Sequence, residues 1–338
     1  MPSTLSDFGV DVRDVLRVCG LPDTALDDPE RALSPEKYGD FLEACVRATN
    51  CPHFALLVGQ RVSWANFGPV GGLLRNAPVL GDALRDIVAN HQRLARGSMV
   101  YLFPMKDEII FGYLAYQSGV SKTSHLFYDL VVAGLCSIIR MLSGVSPVEV
   151  LIARDTPIDP SPYLRYYSAP VRFNADASGL ILRKSDLQRP IFGANPIARR
   201  RFQEQVNKYW AVGAPSIIAR IQRAIMPNIL LGKLSVSNVA RAQAMHARTL
   251  NRRLEAEGTT FRAEVERLRY EVAQQLLANT RISVTEISNA LRYSNVSAFS
   301  RSFQRWSGIS PSECRKRMQT RPSAFGPDSP AGSGSYPM

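Results

Sequence analysis

Residues 235–258, SVSNVARAQAMHARTLNRRLEAEG, and residues 283–308, SVTEISNALRYSNVSAFSRSFQRWSG, are two versions of one pattern. Each opens on Ser-Val followed by Ser or Thr. Each places a β-branched residue and an alanine at matched positions, Val239 with Ala242 and Ile287 with Ala290, and passes through Met245 or Tyr293 to a polar cap. Each then carries two large apolar residues four apart, Leu250 with Leu254 and Phe299 with Phe303, and closes on Gly258 or Gly308. Apolar residues at that spacing share one helix face, and a glycine just after them ends the helix. A short helix, a tight turn and a second helix with a polar outer face is the helix-turn-helix arrangement. Two copies leave little room for another fold in this part of the chain.

The polar faces carry the chemistry. In the first copy Arg248, Thr249, Asn251 and Arg252 lie away from the leucines; in the second Val296, Ser297, Ser300 and Arg301 lie away from the phenylalanines. Arginine bonds guanine O6 and N7 together, asparagine does the same with adenine N6 and N7, and a valine methyl suits a thymine methyl. Arg253 and Arg305 sit off the centre of these faces, where phosphates or solvent are the expected contacts. Any one of these side chains alone reads as a solvated surface group. The set, repeated on two helices, reads as contact with double-stranded DNA. Between the copies runs FRAEVERLRYEVAQQLLAN, whose 264–279 core spans roughly 24 Å as a helix. The two outer helices are therefore expected about one DNA turn apart, about 34 Å.

Charge divides the chain in the same place. Residues 1–190 hold 19 Lys+Arg and 20 Asp+Glu, a net of −1, whereas residues 191–338 hold 22 and 9, a net of +13. The basic half points to a nucleic-acid or anionic-membrane partner, the other half to a neutral task. The most apolar run, LFYDLVVAGLCSIIRMLSG, is broken by Asp129 and Arg140 and reads as a buried helix of a soluble protein, with no membrane partner. MPSTLSDFGVDVRD lacks the basic-then-apolar order of a signal peptide. Cysteines 19, 45, 51, 136 and 314 are odd in number and form no CxxC, so neither a disulfide framework nor a zinc site is expected. A cytoplasmic location follows as the expectation.

The fold expected is an α+β N-terminal domain over 1–190, a helical linker over 191–212, an all-α domain with two helix-turn-helix units over 213–319, and a disordered Pro/Gly/Ser-rich tail over 320–338. Residues 8–60 read as helices, one of them capped by Ser34 before Pro35, and APVLGDALRDIVANHQRLAR places Leu80, Leu84, Ile87 and Val88 on one face. SMVYLFPMKDEIIFGYLAYQS reads as two strands around Lys106–Asp107, a long helix follows over roughly 124–143, VEVLIAR reads as another strand, and VRFNADASGLILRK reads as a strand pair turning at Ala177–Gly179. No enzyme motif emerges: His53, His91, His125 and His246 lack metal-ligand spacing, GxSxG is absent, and GPVGG at 68–72 is a glycine-rich turn without the Lys-Ser/Thr of a phosphate loop. No catalytic residue, metal or cofactor is expected.

Residues 214–319 resemble the DNA-binding domain of the AraC/XylS family of bacterial transcription regulators. The residues that carry the likeness are TLNRRLEAEGTTF and FSRSFQRWSGISPSECRKR. RNAPVLGDALRDIVANHQRL, VEVLIARDTPIDPSPYLRYYSAPVRFNA and SDLQRPIFGANP resemble the effector-sensing domain of the family's arabinose-binding-like branch. The sequence departs from the family at the two turns, where Ala244 and Arg292 replace the usual glycine, at Gln243 for an apolar residue, and at Cys314 for an aromatic. The resemblance implies a sequence-specific regulator, an activator by family habit, with a small-molecule effector, RNA polymerase and a second copy of the chain as further partners. An effector pocket is expected among Tyr101, Phe103, Phe111, Tyr113, Tyr116 and Tyr128, with Arg140 orienting a small organic or fatty acid. The alternative is a non-sensing or architectural DNA binder whose N-terminal domain only dimerises.

Overall fold

The computed structural model describes residues 1–26, 35–95, 98–115, 124–211, 216–231 and 234–320; Ser34, Tyr116 and the tail beyond Thr320 lie outside them. Six helices come first: α1 (Pro2–Ser6), α2 (Val12–Val18), α3 (Pro35–Thr49), α4 (Phe54–Gln60), α5 (Gly68–Arg75) and α6 (Leu80–Leu94). The hairpin β1 (Ser98–Pro104) and β2 (Glu108–Ala115) follows, then α7 (Ser124–Ser143), β3 (Glu149–Leu151), α8 (Ser161–Tyr167), β4 (Val171–Arg172), β5 (Ser178–Arg183) and α9 (Pro196–Ala211). The strands form one five-stranded sheet in the order β1-β2-β5-β3-β4. The remainder is helical: α10 (Ile217–Ile225), α11 (Val236–Ala242), α12 (Ala247–Ala256), α13 (Phe261–Asn279), α14 (Val284–Ala290), α15 (Val296–Ser307) and α16 (Pro311–Thr320). The expected class, an α+β region followed by an all-α region, is the one observed.

Strand side chains alternate between the two faces of the sheet, and here both faces are covered. Val100, Leu102, Phe111, Tyr113, Leu180 and Leu182 meet the N-terminal helices, including Leu84 of α6 and Ile139 of α7. Met99, Tyr101, Phe103, Ile110, Leu114 and Ile181 meet the helical region, including Ile225, Ile229, Leu230 and Val272. Burial on two sides is why these strands read as unbroken apolar runs. Gly112 is required on the second face, since a Cβ there would lie 2.2 Å from Cζ of Tyr101, whose ring crosses it. A cavity of about 10 Å³ remains between β1, α6 and α13, bordered by Tyr101, Leu102, Val88 and Val272, which is room for about one water.

The helix α7 is long and apolar enough to cross a membrane, but Val132, Ala133, Cys136 and Ile139 are buried within the fold. Both of its charged side chains are bonded internally. Arg140 donates to the carbonyls of Tyr166, at 2.7 Å, and Tyr167, at the C-terminal end of α8, where a cation meets the negative end of the helix. Asp129, fully buried, pairs with Arg154 and accepts from Oη of Tyr163 at 2.7 Å. Burial pushes the Asp129 carboxyl up to about 6, against the lowering influence of Arg154.

Three local expectations change. The stretch 171–184 is no hairpin: β4 pairs in parallel with β3, β5 pairs antiparallel with β2 and β3, and Ser178 and Gly179 belong to the strand. Partners distant in sequence out-compete the local turn. GPVGG is not a turn but the first part of α5, a role its sequence hides because the glycines serve packing: a Cβ at Gly71 would meet the Trp64 carbonyl, and one at Gly72 the ring of Phe202 on α9. The helix expected as a linker packs on the N-terminal domain, with Val206 buried and Arg199 bonded to Asp86 across 2.9 Å.

Candidate nucleic-acid interface

Both helix-turn-helix units are built by the same local bonds. Ser235 and Ser283 cap α11 and α14, each hydroxyl accepting from the backbone N–H three residues on at 3.1 Å. At the other end the N–H of Met245 reaches the Ala240 carbonyl at 2.9 Å while that of Ala244 reaches Arg241, and Tyr293 and Arg292 repeat this with Ser288 and Asn289. These are Schellman turns, whose residue after the C-cap is left-handed. Ala244 and Arg292 occupy it at φ 52° and 61°, the positions where the family keeps glycine. The fold keeps the turn and accepts roughly 1–2 kcal/mol of Cβ strain at each. Gln243 accepts a hydrogen bond from Arg220 at 3.2 Å, which accounts for a polar residue there, and Cys314 is buried in the domain core.

The second helices expose the expected faces. On α12, Leu250 and Leu254 are fully buried, Arg248, Asn251 and Arg252 are exposed, and Thr249 is half-buried. On α15, Phe299 and Phe303 are buried, Ser297 and Arg301 are exposed, and Val296 and Ser300 are half-buried. Asn295 caps α15, its Oδ1 accepting from Ala298 N at 2.8 Å, whereas the His246 side chain makes no cap bond to α12. Some arginines elsewhere in the domain are paired, Arg267 with Glu271 and Arg317 with Glu313. Arg248, Arg252 and Arg301 make no ion pair with another described residue. Long forked donors held in solvent on two helix faces suit bidentate recognition of base edges and phosphates.

Sequence reading missed what lies behind these faces. On α13, Glu264 is buried and accepts from Nε2 of Gln222 on α10 and from Oγ1 of Thr259 after α12, both at 2.7 Å. Two residues on, Glu266 accepts from Oγ of Ser302 on α15 at 3.1 Å and pairs with Arg269 at 3.5 Å. Tyr293 Oη lies 3.0 Å from the same serine oxygen, and the Arg269 guanidinium lies 5.5 Å from the Tyr293 ring centre. Part of the signal was available: α13 carries Val265, Leu268, Val272, Ala273, Leu276 and Leu277 on several faces, with Arg262, Ala263 and Arg267 exposed, and charges on a helix covered that widely need partners.

The proposed effector residues fall into separate places. Phe111 and Tyr113 face the N-terminal helices, and Tyr113 meets the rings of Tyr128 and His91 edge-on at 6.0 and 6.3 Å. Ser98 bonds the ring of His91 at 2.9 Å, and burial holds that imidazole down at about 4 and thus neutral. Tyr101 and Phe103 lie on the opposite face against the helical domain, and Tyr101 Oη has no hydrogen-bond partner among the described residues. Arg140 is engaged with α8, and Tyr116 is outside the described residues. The two domains also touch through polar groups: Arg281, between α13 and α14, donates to the carbonyls of Asp176, through its backbone at 2.7 Å, and Ala175, through its side chain at 3.0 Å, and Arg223 on α10 donates to Oδ1 of Asn207 on α9 at 2.9 Å.

Paired helix-turn-helix units with unpartnered cationic faces, joined to a separate α+β domain, define a DNA-binding protein of the one-chain regulator type. Residues 9–191 match the family model for the arabinose-binding domain of AraC transcription regulators, N-terminal, and residues 239–317 match a helix-turn-helix domain model. The chain belongs to the AraC family of transcription regulators and is a DNA-binding regulator of transcription. The HTH-type transcriptional regulator VirS of Mycobacterium tuberculosis is 26% identical over 92% of each chain. The transcriptional activator NphR of a Rhodococcus species is 37% identical over 29% of this chain and 30% of its own. The crystal structure of the transcriptional regulator CdpR from Pseudomonas aeruginosa, 23% identical, aligns over 90% of this chain and 96% of that one with a TM-score of 0.47.

Proposed function

We propose that the chain reads two neighbouring major-groove segments of one operator, the first through Arg248, Thr249, Asn251 and Arg252 on α12 and the second through Val296, Ser297, Ser300 and Arg301 on α15. The observation that carries this is the pair of exposed faces opposite buried Leu250/Leu254 and Phe299/Phe303, with arginines that no carboxylate among the described residues claims. Arg248→Ala and Arg252→Ala are each expected to cost about 1–3 kcal/mol at the selected operator and to relax base preference at the position lost. Arg253→Ala is expected to weaken all sequences about equally. Gel-shift titrations against matched and single-substituted duplexes separate the two; equal losses on operator and random DNA by the Arg248 and Arg252 variants would remove the groove assignment.

The N-terminal domain, in this reading, binds a small organic effector and pairs two copies of the chain, and the DNA-bound regulator acts on RNA polymerase in the bacterial cytoplasm. Support for an effector comes from the hydrogen-bonded aromatic group of His91, Ser98, Tyr113 and Tyr128 inside the domain and from the family's N-terminal domain match. A second reading has its own observation: Tyr101, Phe103, Phe111 and Tyr113 are all buried, and the described cavity beside Tyr101 holds about one water, which suits a domain that only dimerises. A thermal-shift screen of the full chain with small carboxylic acids and aromatic metabolites distinguishes them. Sensing predicts a melting shift that Tyr113→Ala abolishes. No shift with any compound, alongside a concentration-dependent dimer in sedimentation, leaves the dimerisation reading.

A further inference from the structure

We propose that Glu264 and Glu266 are positioning residues that fix the spacing and relative rotation of the two DNA-reading helices, so that the chain selects operators by the distance between half-sites as well as by their bases. This rests on the two-helix DNA contact proposed above.

The geometry follows from the connecting helix. Successive residues of an α-helix turn by about 100°, so side chains two apart point in nearly opposite directions. Glu264 and Glu266 use that divergence. Glu264 reaches Gln222 on α10 and Thr259 in the loop that ends α12, and so clasps α13 to the first unit. Glu266 reaches Ser302 on α15, the neighbour of Arg301, and through that serine Tyr293 in the turn of the second unit. Arg269 closes the group, paired with Glu266 and placed over the Tyr293 ring. The second reading helix is thereby bonded directly to one side of the connecting helix, and the supports of the first, α10 and the loop after α12, are bonded to another.

The choice of residue argues against a purely stabilising role. Burying a carboxylate is costly unless it is fully bonded, and both oxygens of Glu264 are taken up by neutral donors where an apolar side chain would pack at lower cost. Apolar contacts are non-directional and tolerate sliding; hydrogen bonds at 2.7–3.1 Å fix angle and distance together. The demand on precision comes from DNA. One inserted base pair moves a half-site by about 3.4 Å along the axis and turns it by about 34–36°, and the hydrogen-bonded pins make the protein unable to follow.

The test uses the full chain and a duplex selected by it from a random pool, together with versions carrying one base pair added or removed between the halves and a duplex holding one half alone. Wild-type protein is expected to prefer the selected spacing at least tenfold. Glu266→Leu and Glu264→Leu are expected to reduce that preference several-fold while leaving affinity for the single half unchanged. Glu266→Gln, which keeps the acceptor for Ser302, is expected to retain most of it. Ser302→Ala and Thr259→Val remove the same bonds from the other side and serve if a leucine variant fails to fold. Equal losses at every spacing and on the single half would overturn the proposal, because the carboxylates would then only stabilise the fold; so would folded variants with unchanged spacing preference. Wild-type protein indifferent to spacing would overturn both this proposal and the two-site reading, whereas a spacing preference that survives in every variant overturns this one alone.

Discussion

Arg154→Ala is expected to destabilise the N-terminal domain by about 3–5 kcal/mol at neutral pH, because it strands the carboxylate of Asp129 in the interior. Asp129 has no exposed side-chain surface and Arg154 is 17% exposed, so solvent screens the pair little. Tyr163 Oη remains as a donor to one oxygen of Asp129, but the other, Oδ1, already lacks a partner among the described residues. The loss carries a pH signature. Burial holds the folded-state pKa of Asp129 above its unfolded value, at about 6. A group raised in this way favours the folded chain while protonated, and that contribution is lost as pH rises from about 4 through the folded value. Without the Arg154 guanidinium the folded value moves higher still. The stability gap between wild type and variant is therefore small near pH 4 and widens toward neutrality. Thermal melts across that range measure it, and a gap independent of pH would mean that Arg154 contributes packing alone.

Phe303→Ala is expected to remove about 3–5 kcal/mol from the second helix-turn-helix unit. Phe303 is 2% exposed, and its ring lies 5.8 Å from that of Phe299 and 5.1 Å from that of Tyr270 on α13. Truncation leaves a cavity where α15 is anchored to the connecting helix. A domain with a total stability of about 5–15 kcal/mol loses much of its margin, and the second half of the operator contact goes with it. Arg301→Ala, on the exposed side of the same helix, is the control: it is expected to weaken DNA binding with a change in stability within about 0.5 kcal/mol. Denaturant unfolding followed by helical circular dichroism, paired with DNA titration, compares them. A loss below about 1 kcal/mol for Phe303→Ala would show that the site collapses around the smaller residue.

What could be read directly from the sequence was local and periodic. The repeated Ser cap, the apolar pairs Leu250/Leu254 and Phe299/Phe303 and the closing glycines specify two short helices and a turn through bonds within a few residues, and the structure forms them there. The same periodicity marks α6, and the β1–β2 hairpin follows from apolar runs around Lys106–Asp107. The exposed faces of α12 and α15 were legible for the same reason: the inward residues settle the outward ones. At Ala244 and Arg292 the sequence left two outcomes open, a changed turn or a left-handed non-glycine, and the structure takes the second.

The rest was decided by contacts between residues far apart in the chain. Nothing near residue 171 says that β4 joins β3 in parallel instead of pairing with β5, because strand partnership depends on which edge is open once the larger sheet exists. GPVGG reads as a turn until Trp64 and Phe202 approach its glycines, and then the missing side chains make room for a helix. The division of the aromatics between two faces of the sheet follows from strand alternation, but that both faces would be buried depended on the helical domain covering one of them. The pairings of Glu264 with Gln222 and Thr259, of Glu266 with Ser302 and of Asp129 with Arg154 join separate elements. Sequence fixes that such buried charges need partners; only the tertiary structure chooses them, because proximity across elements is set by packing and not by spacing along the chain.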